Sequence, residues 1–233
     1  VSALQDTVDE HRRHKDVYEH TLTVLQQAMD LETGPDGDVP GPDLRLRLAA
    51  LMHDIGKPAT RRFMPDGTVT FHAHDYVGAR MTAKRMRALH FDKQTIKDVS
   101  RLVELHLRFH GYADSPWSDS AVRRYVTDAG PLLARLGCLT RADVTTGNRR
   151  KAAMLSHAYD DLERRIEALR EQEELASIRP ELDGQEIMAE LGIKPGPEVG
   201  KAYKFLLDLR MERGPIGKEL AREALHSWWA TQQ

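Results

Sequence analysis

LRLRLAALMHDIGKP, residues 44–58, decides how this chain folds. Residues 44–52 read as a helix apolar enough to be central, with Gly56 and Pro58 to stop it. His53 and Asp54 stand at the C-terminal end of that helix. An ionisable pair in such a place is costly to bury unless something compensates it, and a metal ion is the usual compensation.

Helical periodicity spreads outward on both sides of this stretch. Upstream, Val17, Tyr18, Leu22, Leu25, Ala28 and Met29 recur at helical spacing within residues 15–31. A polar loop with Gly34, Pro35, Gly37, Pro40, Gly41 and Pro42 ends that helix. Downstream, residues 68–71 read as a short strand or an extended loop, and 75–89, 92–108, 118–129 and 131–143 as further helices. Residues 151–178 form a long, charged helix in which Leu155, Tyr159, Leu162, Ile166 and Leu169 follow a 4-3-4-3 spacing, the seam of a helix packed on another. The seam serves either an intrachain packing face, which is the favoured reading, or a homodimer interface. Pro180 ends the helix. A separate small helical unit follows, with its turn at residues 192–196 and a last helix, led in by Pro215 and Gly217, that reaches Trp228 and Trp229. The expected fold class is all-α, with a metal-binding helical domain over residues 1–178 and a helical tail over 179–233.

Bulk composition narrows the function classes. The 233 residues are 40% hydrophobic and 30% charged, ordinary for a soluble globular protein. A formal charge of −2 argues against a protein that coats nucleic acid by bulk charge, while leaving a local basic face open. The single cysteine, Cys138, permits no internal disulfide, so a reducing cytoplasm is the expected location. No apolar run is long enough to span a bilayer, and residues 1–13 lack the apolar core of a signal peptide. The first residue is Val rather than Met, which suggests a piece excised from something longer.

Eleven histidines are unusual, and their placement matters more than their number. Besides His53 and Asp54, His20 lies on the first helix, His74 in HAHDYVGA, His106 in LVELHLRFHGY and Asp143 in LTRADVTTGN. Imidazole and carboxylate are ligands suited to Mn, Fe, Ni, Co or Zn. Two such ions can share a carboxylate and a hydroxide, which attacks a phosphoester in line. His72 could replace His74, but the spacing to Gly78 favours His74. His110 follows His106 by one turn, so both can face one site, which makes it a further candidate ligand or substrate contact. His11, His14, His90, His157 and His226 read as surface or packing residues.

An HD pair preceded by apolar residues and followed by Ile-Gly-Lys, with a helical His upstream and a helical Asp downstream, resembles the HD superfamily of metal-dependent phosphohydrolases. The resemblance implies His20, His53, Asp54 and Asp143 as ligands of a first metal. It implies that Asp54 bridges to a second metal held by His74 and His106, and that Lys57 stands near the phosphate as a positive group. Read alone, Lys57 is equally a helix-end cation favoured by the dipole. The implied cofactor is one or two divalent ions of Mn, Ni, Co, Fe or Zn, with Mg as a further candidate.

Over a longer span, HKDVYEHTLTVL, LAALMHDIGKPATRRF, VELHLRFHGY and AVRRYV together closely resemble the C-terminal half of bacterial CCA-adding tRNA nucleotidyltransferases of the poly(A) polymerase family. The resemblance takes in the terminal unit DGQEIMAELGIKPGPEVGKAY as well. It implies an HD domain followed by a tRNA-contacting tail. In that family the nucleotide-adding head lies N-terminal to this region, and neither its Gly-Ser motif nor its aspartate pair occurs here, so nucleotide addition is not expected of these residues alone. The implied activity is phosphodiester or phosphate hydrolysis at 2′,3′-cyclic or 2′-phosphate ends of nucleotides or RNA. The alternative is a non-catalytic half that positions tRNA for a nucleotidyltransferase head.

Basic residues fit either reading. Arg61 and Arg62 follow the HD string directly, and Arg149, Arg150 and Lys151 follow Asp143 closely, so these five are the candidate phosphate contacts. Arg80, Lys84 and Arg87 share a helical face that serves either phosphate contact or solvation. Gly196 and Gly200 bracket a helix N-terminus, with Lys201 just inside, that reads as a plain helix–turn–helix connection before it reads as a phosphate site.

Overall fold

The computed structural model describes residues 1–5, 7, 17–112, 115, 117–173 and 178–232, and His11 and His14 lie outside them. In chain order the helices are α1 (Val17–Asp30), α2 (Leu44–Met52), the single turn α3 (Lys57–Thr60), α4 (His74–Ala88), α5 (Lys93–Leu105), α6 (Asp119–Ala129), α7 (Leu133–Ala142), α8 (Arg149–Glu173), α9 (Gly184–Leu191), α10 (Pro197–Arg213) and α11 (Lys218–Ala230). Two two-residue strands, β1 (Arg62–Phe63) and β2 (Val69–Thr70), form a hairpin between α3 and α4. The fold is all-α.

The chain divides into two compact units. The first comprises residues 1–115 and 129–160, and the second residues 116–128 and 161–233. The second unit therefore takes in nearly all of α6 and the later part of α8 as well as the C-terminal helices. The long helix begins at Arg149 and is described to Glu173, while Ile178 is not helical.

Within the first unit, α2 packs against α1, α5 and α7. Leu46, Ala49 and Ala50 are fully buried, and the two alanines let neighbouring helices approach closely. Val24 and Ala28 of α1, Val99, Leu102 and Val103 of α5, and Leu136 and Leu139 of α7 complete this core. Burying each larger side chain stabilises by about 1.5–3 kcal/mol. Asp43 starts α2 by accepting the Leu46 amide at 2.8 Å, and its other oxygen takes Arg135 at 2.7 Å. The two arginines that interrupt the apolar run are paired, Arg45 with Asp98 at 3.2 Å and Arg47 with Glu32 at 2.6 Å.

The seam of α8 is buried at Tyr159, Leu162, Ile166 and Leu169. Tyr159 stacks on Phe109 with ring centroids 3.6 Å apart. In the second unit, Leu182, Ile187, Ala202, Leu206, Ala221 and Leu225 form a core of their own, flanked by the stacked pair Phe205 and Trp228. A capping box of Asp183 and Glu186 opens α9, and Gly192, at φ +63°, closes it.

Three local features depart from the periodicity reading. Residues 131–143 break into a 3-10 turn, Gly130–Leu132, and α7. The strand read over residues 68–71 is only Val69–Thr70, and its partner is Arg62–Phe63, with Phe63 opposite Val69. The turn between them is closed by Met64 N–H donating to the Thr68 carbonyl at 2.8 Å, as Pro-Asp-Gly chemistry favours. After α2 the chain does not simply stop at Gly56 but turns through α3, because Gly56 lies against the start of α4. A Cβ at Gly56 would stand 2.2 Å from the His74 carbonyl oxygen and 2.8 Å from the Gly78 nitrogen. Both atoms are backbone, so the segments carrying His53 and His74 would have to separate. Gly56→Ala is expected to cost about 1–3 kcal/mol, as overpacking does, with a matching fall in Tm. Gly34→Ala, where a Cβ meets nothing within 4 Å, is the control. Equal Tm values for the two variants would contradict the close approach.

Candidate metal centre

The centre forms where the ends of four helices of the first unit converge. His53 and Asp54 follow α2, His106 follows α5, Asp143 follows α7, and His74 is the first residue of α4. His20 comes from the body of α1, its ring 20% exposed, while His53, Asp54 and His106 are almost fully buried.

The donor atoms cluster tightly. His20 Nε2 lies 3.2 Å from His53 Nε2, 3.0 Å from Asp143 Oδ1 and 3.5 Å from Asp54 Oδ2. His53 Nε2 lies 3.2 Å from Asp54 Oδ2 and 3.4 Å from Asp143 Oδ1. On the other side of the same carboxylate, Asp54 Oδ1 lies 3.2 Å from His74 Nε2. The rings of His74 and His106 are 5.3 Å apart. Two sets result, His20–His53–Asp54 and Asp54–His74–His106, each with candidate ligand atoms within 4.8 Å of one another. Asp54 belongs to both, one oxygen directed to each.

Three of the four imidazoles are held by one device. The Nδ1 atoms of His53, His74 and His106 lie 2.8, 2.8 and 2.6 Å from the carbonyl oxygens of Ala50, Phe71 and Val103. A carbonyl only accepts, so each Nδ1 must carry the proton, and in the neutral ring Nε2 presents a bare lone pair to the centre. At His53 and His106 the carbonyl belongs to the last turn of a helix, where it has no helical partner.

These atoms fit a divalent ion. Among the described residues, His74 Nε2 and His106 Nε2 are buried without a hydrogen-bond partner. Such atoms are costly unless something coordinates them. Ligand atoms about 2.1 Å from a shared ion stand roughly 3.0–3.4 Å apart, and those of the first set stand 3.2, 3.2 and 3.5 Å apart.

Electrostatics point the same way. Burial opposes charge on His53, but the Asp54 and Asp143 carboxylates hold its pKa well above the ordinary histidine value. Burial also opposes charge on both carboxylates, and the His53 charge overrides it, keeping both well below the usual range. Burial and the nearby His53 charge push His106 down to about 4, so this ring is neutral at pH 7. The centre thus stabilises positive charge between two carboxylates.

The remaining candidates occupy several places. Lys57 Nζ lies 2.9 Å from Asp54 Oδ2 and 5.5 Å from the centre of the Phe71 ring. His110 is 65% exposed and comes within 4.0 Å of Asp143 Oδ2. His72 is exposed where His74 is buried, and Ala73 between them has φ +61°, a turn that sends the two side chains different ways. Arg61, Arg62, Arg149, Arg150 and Lys151 are exposed. Arg61 lies over the Phe63 ring at 5.2 Å rather than in the cluster, and Asn148 accepts the amides of Arg150 and Lys151. His90, His157 and His226 are exposed.

Sequence reasoning missed Thr145. Its Oγ1 lies 3.0 Å from His20 Nδ1, the one ring nitrogen of the four not set by a carbonyl. Its only sequence signal is its place two residues after Asp143.

The HD domain family matches residues 17–148. The A-adding tRNA nucleotidyltransferase of Deinococcus radiodurans is 35% identical over 222 residues, 94% of this chain and 48% of that protein. The CC-adding tRNA nucleotidyltransferase of Thermus thermophilus is 37% identical over 219 residues, 92% of this chain and 45% of that protein. The chain thus spans about half the length of these relatives.

Three outcomes are expected for metal uptake. Adding Mn²⁺ or Zn²⁺ raises Tm, by an increment that grows with the logarithm of metal concentration. Because a proton on His53 competes with the ion, affinity measured by titration calorimetry rises with pH through neutrality. Thr145→Val weakens binding by about 10–100-fold, and Thr145→Ser restores it. A Tm indifferent to metal would contradict the assignment.

Proposed function

The chain belongs to the HD-domain family, and we propose that it is a metal-dependent phosphohydrolase acting on phosphoesters of nucleotides or RNA ends. The observation that carries this reading is the division of Asp54, one oxygen facing His20 and His53 and the other facing His74. That arrangement suits a carboxylate bridging two ions, with His20, His53 and Asp143 on one side and His74 and His106 on the other. Bound divalent ions would supply the Lewis acidity that activates water and polarises a phosphoryl oxygen.

The protein's own groups do the rest. Lys57, 2.9 Å from Asp54, offers a compact positive charge to a phosphate at the centre. Asp54, held ionised by its neighbours, with one oxygen turned to each half of the cluster, would hold the ions that carry the attacking water. His110, exposed and 4.0 Å from Asp143, is a candidate substrate contact at the edge of the centre. Arg61, Arg62, Arg149, Arg150 and Lys151 would contact flanking phosphates, which makes binding salt-dependent.

The substrates favoured by the family resemblance are 2′,3′-cyclic and 2′-phosphate ends. The tRNA named for both relatives makes tRNA the macromolecular partner we propose for this chain. A second reading, a tRNA-positioning half without hydrolysis, is favoured by the relatives' similarity running through the second unit as well as the metal centre.

With Mn²⁺, Ni²⁺ or Co²⁺ the protein is expected to hydrolyse 2′,3′-cyclic AMP. Lys57→Ala is expected to lower kcat by about 10²–10³-fold. Asp54→Asn abolishes turnover but leaves tRNA binding at low salt intact. Metal-loaded protein that cleaves neither 2′,3′-cyclic AMP nor an aryl phosphate would overturn the hydrolase reading and leave the tRNA-positioning one.

A further inference from the structure

The β1–β2 hairpin has exposed apolar and cationic groups that the metal centre does not use. Phe63 is 72% exposed and Met64 44%. A single exposed phenylalanine is unremarkable, but this one is set apart by where the hairpin is rooted. One leg leaves α3, whose first residue is Lys57, 2.9 Å from Asp54. The other leg returns to Phe71, whose carbonyl accepts from the His74 ring and whose own ring lies 5.5 Å from Lys57 Nζ. One foot of the hairpin, at Phe71, therefore stands beside the candidate metal centre, and the other is joined to it by the single turn α3.

Strand geometry relates Phe63 to those feet. Phe63 pairs with Val69 across the hairpin, and Val69 precedes Phe71 by two residues. Residues two apart in a strand share a face, at roughly 7 Å, and paired strands lie about 5 Å apart. Exposed Phe63 is thus paired with half-buried Val69, and the chain runs on from Val69 through Thr70 to buried Phe71 beside Lys57. The tip is held in shape. Met64 N–H donates to the Thr68 carbonyl, Gly67 N–H to the Met64 carbonyl, and Asp66 accepts from both the amide and the hydroxyl of Thr68. The Arg61 guanidinium lies over the Phe63 ring at 5.2 Å, and Arg62 is the next residue. An exposed aromatic ring next to two cations, on a fixed support leading to a phosphate site, has the chemistry of a single-stranded nucleic-acid contact.

We propose that Phe63 is a stacking platform for a nucleobase of a single-stranded RNA end whose terminal phosphate occupies the metal centre, with Arg61 and Arg62 contacting the intervening backbone. The proposal rests on the phosphohydrolase reading for what lies at the centre, and it narrows the substrate class. The hairpin selects oligonucleotide ends over mononucleotides, because a mononucleotide at the centre has no second base to place on the ring. Stacking tolerates any base, so the preference is for length rather than sequence.

The test compares binding of a short fluorescent single-stranded RNA ending in a 2′,3′-cyclic phosphate with binding of 2′,3′-cyclic AMP. Both are measured with the whole chain and Mn²⁺, the RNA by anisotropy and the nucleotide by competition. The parent protein binds the RNA more tightly. Phe63→Ala lowers the ratio of the two affinities on the order of tenfold, the size of one lost base–aromatic stack. Phe63→Trp keeps the ratio, since it keeps the ring. The proposal is overturned if the parent shows no preference, if Phe63→Ala leaves the ratio in place, or if Phe63→Trp loses it as Phe63→Ala does. Affinities are read just after mixing, before hydrolysis consumes either ligand, so RNA that binds in this way but is never cleaved would count against the hydrolase reading alone.

Discussion

A buried carboxylate, Asp54, and a half-buried one, Asp143, with one lysine beside them need further positive charge, and the first unit is arranged around that need. Asp54 and Asp143 sit among four imidazoles, and the geometry leaves each ring nitrogen that faces them either bare or shared between acids. A proton on His53 supplies part of the missing charge. A divalent ion supplies it better, because it also takes up the lone pairs of His74 and His106 that nothing else satisfies.

Helix ends are what make such a cluster buildable. A helix terminates in carbonyls without partners, and His53 and His106 bond those carbonyls from just past their own helices. The same contact satisfies the helix and aims the ring. The helices must then meet closely, which the apolar α2 and its small residues allow. Gly56 lets the HD turn lie directly on the start of α4. Packing, capping and ligand orientation are therefore one problem here. That is why the conspicuous string in the sequence carries His, Asp and Gly within four residues.

Much of this was legible in the sequence. The helices α1, α2, α4, α5 and α7 of the first unit were read close to where they lie, the single turn α3 was not, and His20, His53, Asp54, His74, His106 and Asp143 were named from motif and spacing. The structure brings all six together. The parts that were not legible depend on contacts between distant residues or on backbone conformation. Thr145 matters through a bond to His20, 125 residues away, and a threonine in a loop carries no periodic signal. His74 was preferred to His72 from the spacing to Gly78, but the turn that separates the two side chains, a positive φ at Ala73, is one that alanine does not advertise. Partnering of Arg62–Phe63 with Val69–Thr70 lay below pattern reading, because strands of two residues have no alternation to detect. The division of the chain is similar: α6 falls with the second unit through contacts such as Arg123 donating to the Met211 carbonyl at 3.0 Å, across 88 residues.

The central claim is that Asp54 joins two metal positions, and counting metal tests it most directly. Elemental analysis of protein loaded with Mn²⁺ or Zn²⁺ and then desalted should find two equivalents per chain in the parent, one in His106→Ala and close to none in Asp54→Ala, each variant first shown folded by circular dichroism. Equal metal content in the parent and a folded Asp54→Ala, or none in the parent, would contradict the account.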